Sequence, residues 1–142
     1  MKITQILTFA QRKGEGSPVN EAMLVEGLGI RGDAYADGGD KQVVIMDSKA
    51  LAPDAPGEPR GFCREKFKAN ILIEGLSDLK LKPGMVFRMG SAEITLCSVK
   101  GCYELCERLT GKLPCPLRAA AAFGRVTSGG LIAPGQGVEA VR

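Results

Sequence analysis

The order of apolar and polar positions along the chain reads as a series of short strands separated by glycine- and proline-rich turns. Lys2 to Phe9 mixes β-branched and polar residues and predicts a strand. Lys13-Gly14-Glu15-Gly16-Ser17-Pro18 interrupts it with a turn-rich connection. Val19 to Glu26 is expected as a second strand, and Gly27 to Ala36 as a glycine-broken loop holding a short extended piece. Val43-Val44-Ile45-Met46 is a continuous apolar run between polar residues, the pattern of a buried strand. Asp47-Ser48 then offers an N-cap for a short helix through about Ala52.

Pro53 to Arg60 holds three prolines and a glycine and predicts a surface loop. A helical turn over Phe62 to Phe67 and a strand over Ala69 to Ile73 are expected next. Pro83-Gly84 signals a turn before a strand from Met85 to Met89. Gly90-Ser91 turns the chain into Ala92 to Val99, where Ile94 and Leu96 alternate with Thr95 and Cys97. Ala133-Pro134-Gly135 repeats the Pro-Gly turn ahead of a last strand, Val138 to Val141. Many short strands with such turns argue for a β-barrel or sandwich carrying a few short helices. No linker divides the chain, so residues 1–142 are expected to form one domain.

Composition narrows the function classes. The 142 residues are 44% apolar and 25% charged, values that suit a folded core and not a disordered chain. Aromatics make up 5% and Trp is absent, so stacking platforms for single-stranded nucleic acid are not expected. The net charge of +3 is not gathered into a basic run, which argues against a duplex-binding surface and leaves room for a local small-anion pocket. No stretch is apolar enough to be a membrane span. Residues 1–13 do not have the form of a secretory signal. Five cysteines without an export signal predict a reducing, cytoplasmic setting with thiols or thiolate ligands, not disulfides.

The chain contains no histidine. Ser-His-Asp and Cys-His mechanisms are therefore excluded, as is any zinc site that requires imidazole. Proton transfer would fall to Asp, Glu, Lys, Tyr or Cys, and a soft metal to thiolates.

Two motifs stand out. Gly27-Leu28-Gly29-Ile30-Arg31-Gly32 matches G-x-G-x-x-G, but a dinucleotide fingerprint needs a helix directly after it, and Asp33 to Asp40 has no amphipathic helical pattern. A glycine-rich turn between strands is the expected structure. In the last third, Gly101-Cys102-Tyr103-Glu104-Leu105-Cys106 has helix-forming composition, and Cys102 and Cys106, four apart, would share one helix face. Cys115 follows within Leu113-Pro114-Cys115-Pro116, an extended segment able to fold back over that face. A position near a helix N-terminus would favour the thiolate of Cys102, with Lys100 and Arg118 adding to that effect if close. Three thiols could hold a metal or an iron–sulfur cluster, or one could act as nucleophile or sulfur acceptor; the C-x3-C-x8-C spacing does not choose between them. Cys63 and Cys97 are expected to be small buried apolar residues.

Gly32-Asp33-Ala34, Lys41-Gln42-Val43-Val44-Ile45-Met46, Phe67-x-Ala69-Asn70-Ile71, Gly84 and Gly90, and Cys102 occur in the order found in MOSC domains, named for the C-terminal domain of molybdenum cofactor sulfurase. Lys100-Gly101-Cys102-x-x-x-Cys106 and Gly111-x-x-x-Cys115 resemble the short standalone branch, and the likeness spans nearly the whole chain. The resemblance implies a β-barrel-like fold with a cleft around one key cysteine, matched by Cys102. It also implies a role in binding molybdenum cofactor (molybdopterin) or carrying sulfur as a persulfide toward metal–sulfur sites. Histidines common in the family are replaced by Tyr35, Asp40 and Tyr103, and Lys41 stands where arginine is common.

On this reading Cys102 is the reactive thiolate, and Cys106 and Cys115 resolve, relay or co-ligate. Lys41, Lys66, Lys68 and Arg118 are candidates for holding an anionic pterin phosphate. Asp33 and Asn70 are expected to hydrogen-bond backbone groups around the cleft. The alternatives are a non-catalytic metal or cluster module with Cys102, Cys106 and Cys115 as ligands, and a partner-binding domain. Expected partners are molybdenum-cofactor or sulfur-transfer proteins. Oligomeric state is open, since exposed edge strands could support a dimer.

Overall fold

Strand β1, Lys2–Phe9, buries Ile3, Ile6 and Phe9. Strict alternation would send Ile3 and Ile6 to opposite faces. A register shift between Ile3 and Gln5, where β1 pairs with β6, turns both inward. The computed structural model describes residues 1–11, 14–36, 38–39, 41–48, 69–99 and 121–141. The strands formed by these residues are β1, β2 (Gly16–Val19), β3 (Ala22–Val25), β4 (Gly29–Ile30), β5 (Val43–Asp47), β6 (Ile71–Glu74), β7 (Val86–Met89), β8 (Ala92–Val99), β9 (Ala121–Ser128), β10 (Gly130–Ile132) and β11 (Glu139–Ala140). A 3-10 turn spans Leu76–Asp78 and follows Gly75, whose φ of 88° suits glycine.

Eight strands form one sheet in the order β11-β7-β8-β9-β5-β6-β1-β2, and β10-β3-β4 form a second. Strand β5 lies between β9, antiparallel, and β6, parallel, and all five of its residues are buried. That explains why its sequence is a continuous apolar run and not an alternating one. Ile3, Ile6, Ile45, Ile71, Ile73, Phe87, Ile94 and Val126 of the large sheet pack with Leu24, Ile30 and Ile132 of the small sheet in one core. On the opposite face of the large sheet Val44, Met46, Ala69, Leu72 and Ala121 form a second buried cluster with Phe123 at its margin.

The expectation of a barrel is corrected: the chain is mainly β, but its sheets are not closed into a barrel. The two ends of the large sheet are poor partners for a ladder. Strand β11 has two residues, and β2 carries Pro18, which has no N–H and is tolerated because β2 is an edge. A strap of backbone takes the place of a ladder. Gly135 N–H donates to the Ile3 carbonyl (2.6 Å), Ile3 N–H to the Gln136 carbonyl (2.9 Å) and Val138 N–H to the Met1 carbonyl (2.9 Å). A single bridge joins Lys2 and Gly137, and the same segment runs on into β11 beside β7.

Other boundaries moved as well. Residues 16–18, expected within a connection, form β2 together with Val19, and the rest of the strand expected over Val19 to Glu26 forms β3, Ala22–Val25. Asp47 ends β5 and is buried, and Ser48 directly after it begins a 3-10 turn; the rest of the helix expected through about Ala52 lies outside the described residues. The helical turn over 62–67, the loop over 53–60 and the helix around Cys102 lie outside the described residues.

Candidate functional site

Three buried polar side chains tie strands together where the ladders stop. Asn70, directly before β6, accepts the Val44 N–H at Oδ1 (3.0 Å) and donates from Nδ2 to the Leu7 carbonyl (3.3 Å). Its backbone N–H donates to the Val44 carbonyl (2.9 Å) and its carbonyl accepts from Leu7 N–H (2.7 Å). Asn70 therefore links β1 and β5 with both ends of its amide. Asp33 accepts Phe9 N–H at Oδ1 (2.8 Å) and Tyr35 N–H at Oδ2 (3.1 Å), fixing the turn after β4 to the end of β1. The Tyr35 ring stands edge-on to Phe9 at 5.5 Å. Gln42, 2% exposed, accepts Val126 N–H at Oε1 (3.0 Å) and extends the β5–β9 contact past its last pair, Val43 with Gly124.

The second apolar cluster gives the large sheet an outer face, and an accessible margin runs along it. Phe123 on β9 lies opposite Val44 on β5 and Ser98 on β8, so the three residues share a face. The Lys41 ammonium sits over the Phe123 ring, 4.8 Å from its centroid. Such contacts contribute about 0.5–1 kcal/mol at an exposed site, enough to bias the position of a long side chain. A second register shift, between Leu96 and Ser98, places Cys97 as the extra residue of a bulge. Cys97 is half-buried and its thiol is 3.9 Å from the Thr95 carbonyl, so it is more accessible than the fully buried apolar residue expected.

Cys63, Lys66, Lys68, Cys102, Cys106, Cys115 and Arg118 lie outside the described residues. Their sequence distance from described anchors is fixed. Cys102 follows Val99 by three residues and Arg118 precedes Ala121 by three, while Val99 pairs with Ala122 across β8 and β9. Lys68 adjoins Ala69 of the outer cluster.

Among the described residues no group of three or more Cys, Asp or Glu side chains is arranged to hold a metal. The Gly27–Gly32 motif forms the turns around β4, with φ of 74° at Gly27 and 84° at Gly32, and leads to further turns at 34–35, not a helix. It does not provide a dinucleotide site. No helix of the described residues is long and apolar enough to cross a membrane. Gln42 and Phe123 were not separated from their surroundings in the sequence. A lone amide immediately before an apolar run was the available signal for Gln42; an isolated Phe in an alanine-rich stretch gave none for its partner.

The fold of this mainly β chain recurs in solved structures. It is shared with the crystal structure of the YuaD protein from Bacillus subtilis (16% identity over 96% of this chain and 93% of that one, TM-score 0.65). It is shared equally with YiiM from Escherichia coli (20% identity, 100% and 70%, TM-score 0.61) and YiiM from Geobacillus stearothermophilus (18%, 99% and 75%, TM-score 0.60). At these identities the likeness is one of fold. No family model matches the chain, and no curated protein does.

Proposed function

We propose that this chain is a MOSC-type domain that binds molybdenum cofactor or carries sulfur through the thiolate of Cys102. What supports the reading is chain order in a MOSC-like fold: the cysteine-bearing residues 100–120 connect β8 to β9, paired strands in the middle of the large sheet, and β9 carries the Phe123 ring on which Lys41 sits.

In sulfur carriage the Cys102 thiolate attacks the outer sulfur of a persulfide donor. A new S–S bond forms on Cys102, the donor's S–S bond breaks, and the donor leaves as a thiolate. No outside oxidant is needed, because one thiolate is exchanged for another. Cys106 and Cys115 are the thiols that would take the sulfur on or steady the carrier. The cofactor, when bound, would supply molybdenum as the sulfur acceptor. The described residues suit such a ligand in one respect: Lys41 offers a cation held on a ring at the accessible margin, the kind of group that meets a phosphate. Asp33 and Asn70 direct their polar atoms at backbone, so their part is to hold the strands beneath.

Native mass spectrometry of anaerobically purified protein, with and without a persulfide donor, tests this. The native chain should gain one sulfur atom, reversible by a reductant. Cys102→Ser should not gain it, with its circular dichroism unchanged. Full uptake by the Ser variant would sink the reading. A metal or cluster mass requiring Cys102, Cys106 and Cys115 together would replace it with a ligand module.

A further inference from the structure

Lys41 precedes a stretch of backbone that is held from two sides. Gln42 is almost fully buried and its Oε1 takes the Val126 N–H of β9. Its carbonyl lies so close to Gly29 that a Cβ there would stand 2.7 Å from it, at a φ of 133° that also favours glycine. Val43, the next residue, is fully buried in the core. The amide of Gln42 thus anchors the start of β5 to the same strand that carries Phe123, one residue away from the lysine that sits on that ring.

We infer that Gln42 is a positioning residue that acts through Lys41, holding its ammonium on the Phe123 ring as a preformed seat for a phosphate-like oxyanion. This deepens the proposed function and rests on its assignment of Lys41 to anion binding. A lysine side chain has many rotamers, and an oxyanion that must first order it binds more weakly than one that meets it in place. Lys41 is exposed, and an ammonium with one face against the ring has donors left for an oxyanion to meet. Gln42 touches no ligand in this arrangement.

The test uses the full chain with inorganic phosphate as probe and NMR of the Lys41 side chain as readout. In the native protein the Lys41 Cε protons should be shifted upfield by the Phe123 ring and should move on phosphate titration. Gln42→Met, of similar length but without the acceptor, should erase the upfield shift and weaken phosphate about fivefold. If Lys41→Met abolishes phosphate binding and Gln42→Met leaves it and the ring shift intact, the positioning role is wrong and the anion seat stands. If the native chain shows no phosphate response at Lys41, or Lys41→Met leaves it unchanged, the anion assignment itself fails. Should Gln42→Met not fold, Phe123→Leu removes the ring while leaving Gln42 in place. Unchanged phosphate affinity in that variant would overturn the preformed seat.

Discussion

Asn70 shows how much one buried amide can hold. It replaces ladder hydrogen bonds at the start of the parallel β5–β6 pair and reaches across to β1. Asn70→Leu would fit an apolar neighbourhood but leave the Val44 N–H without its acceptor and remove a donor from the Leu7 carbonyl. At about 1–3 kcal/mol for each buried group left unsatisfied, the loss should be about 2–4 kcal/mol by urea denaturation. A loss below about 0.5 kcal/mol, the size of a surface substitution, would show that water replaces the amide freely. The exposed Lys2–Glu74 pair, at 3.8 Å, is a useful contrast: such pairs contribute about 0–1 kcal/mol. The backbone-bonding roles of Asp33 and Asn70 were legible in the sequence because short polar side chains beside turns and strand starts have few other options. The role of Gln42 was not, because its partner, Val126, is 84 residues away.

At the scale of elements, the strands with clear alternation or a clean apolar run were readable: β1 and β8 lie at their expected limits and β5 extends one residue further. The central strand β9 was not. Ala121-Ala122-Phe123-Gly124 is poor in β-branched residues and contains a glycine, both of which lower strand propensity. Close packing overrides propensity here. A Cβ on Gly124 would stand 2.6 Å from Ile94 Cγ2 and 3.0 Å from the Thr95 carbonyl of β8. The glycine and alanines let β8 and β5 lie tightly on both sides of β9, so their small size is the reason for the strand. Gly124→Ala should therefore destabilise by about 1–3 kcal/mol, because backbone on β8 would have to move. Thermal unfolding checks this: a variant that melts at or above the native temperature would mean that the propensity gain of alanine exceeds the clash. A residual loss of alignment at Phe123 should also reduce the Lys41 contact, since Phe123 is the next residue.

For the molecule as a whole, the strap over residues 135–138 is the link between the two sides of an open sheet. It joins β1 to β7 with a few hydrogen bonds and one bridge, while the interior pairs β5–β6 and β5–β9 have continuous ladders and β8–β9 a long one with two register shifts. Val138 is buried in the shared core, so the strap is held by apolar packing as well as by backbone. Segments with few hydrogen bonds open before those with many, and they open as a unit when one side chain anchors them. Native-state amide exchange should show Ile3, Gly135, Val138 and Val141 exchanging together, well ahead of Ile45, Ile71 and Ala122. Val138→Ala, which removes apolar contact without touching a hydrogen bond, should raise exchange at all four strap amides and leave the β5, β6 and β9 amides at their global rate. If the four amides instead exchange with the central strands, the strap belongs to the same cooperative unit as the core. The molecule would then behave as a barrel despite its missing ladder. The distinction bears on the cysteine segment: residues 100–120 join β8 to β9, whereas the strap's backbone hydrogen bonds run to Met1 and Ile3. Opening of the strap should therefore leave the sulfur uptake proposed for Cys102 unchanged in rate in Val138→Ala, and a changed rate would reveal coupling between the two ends of the sheet.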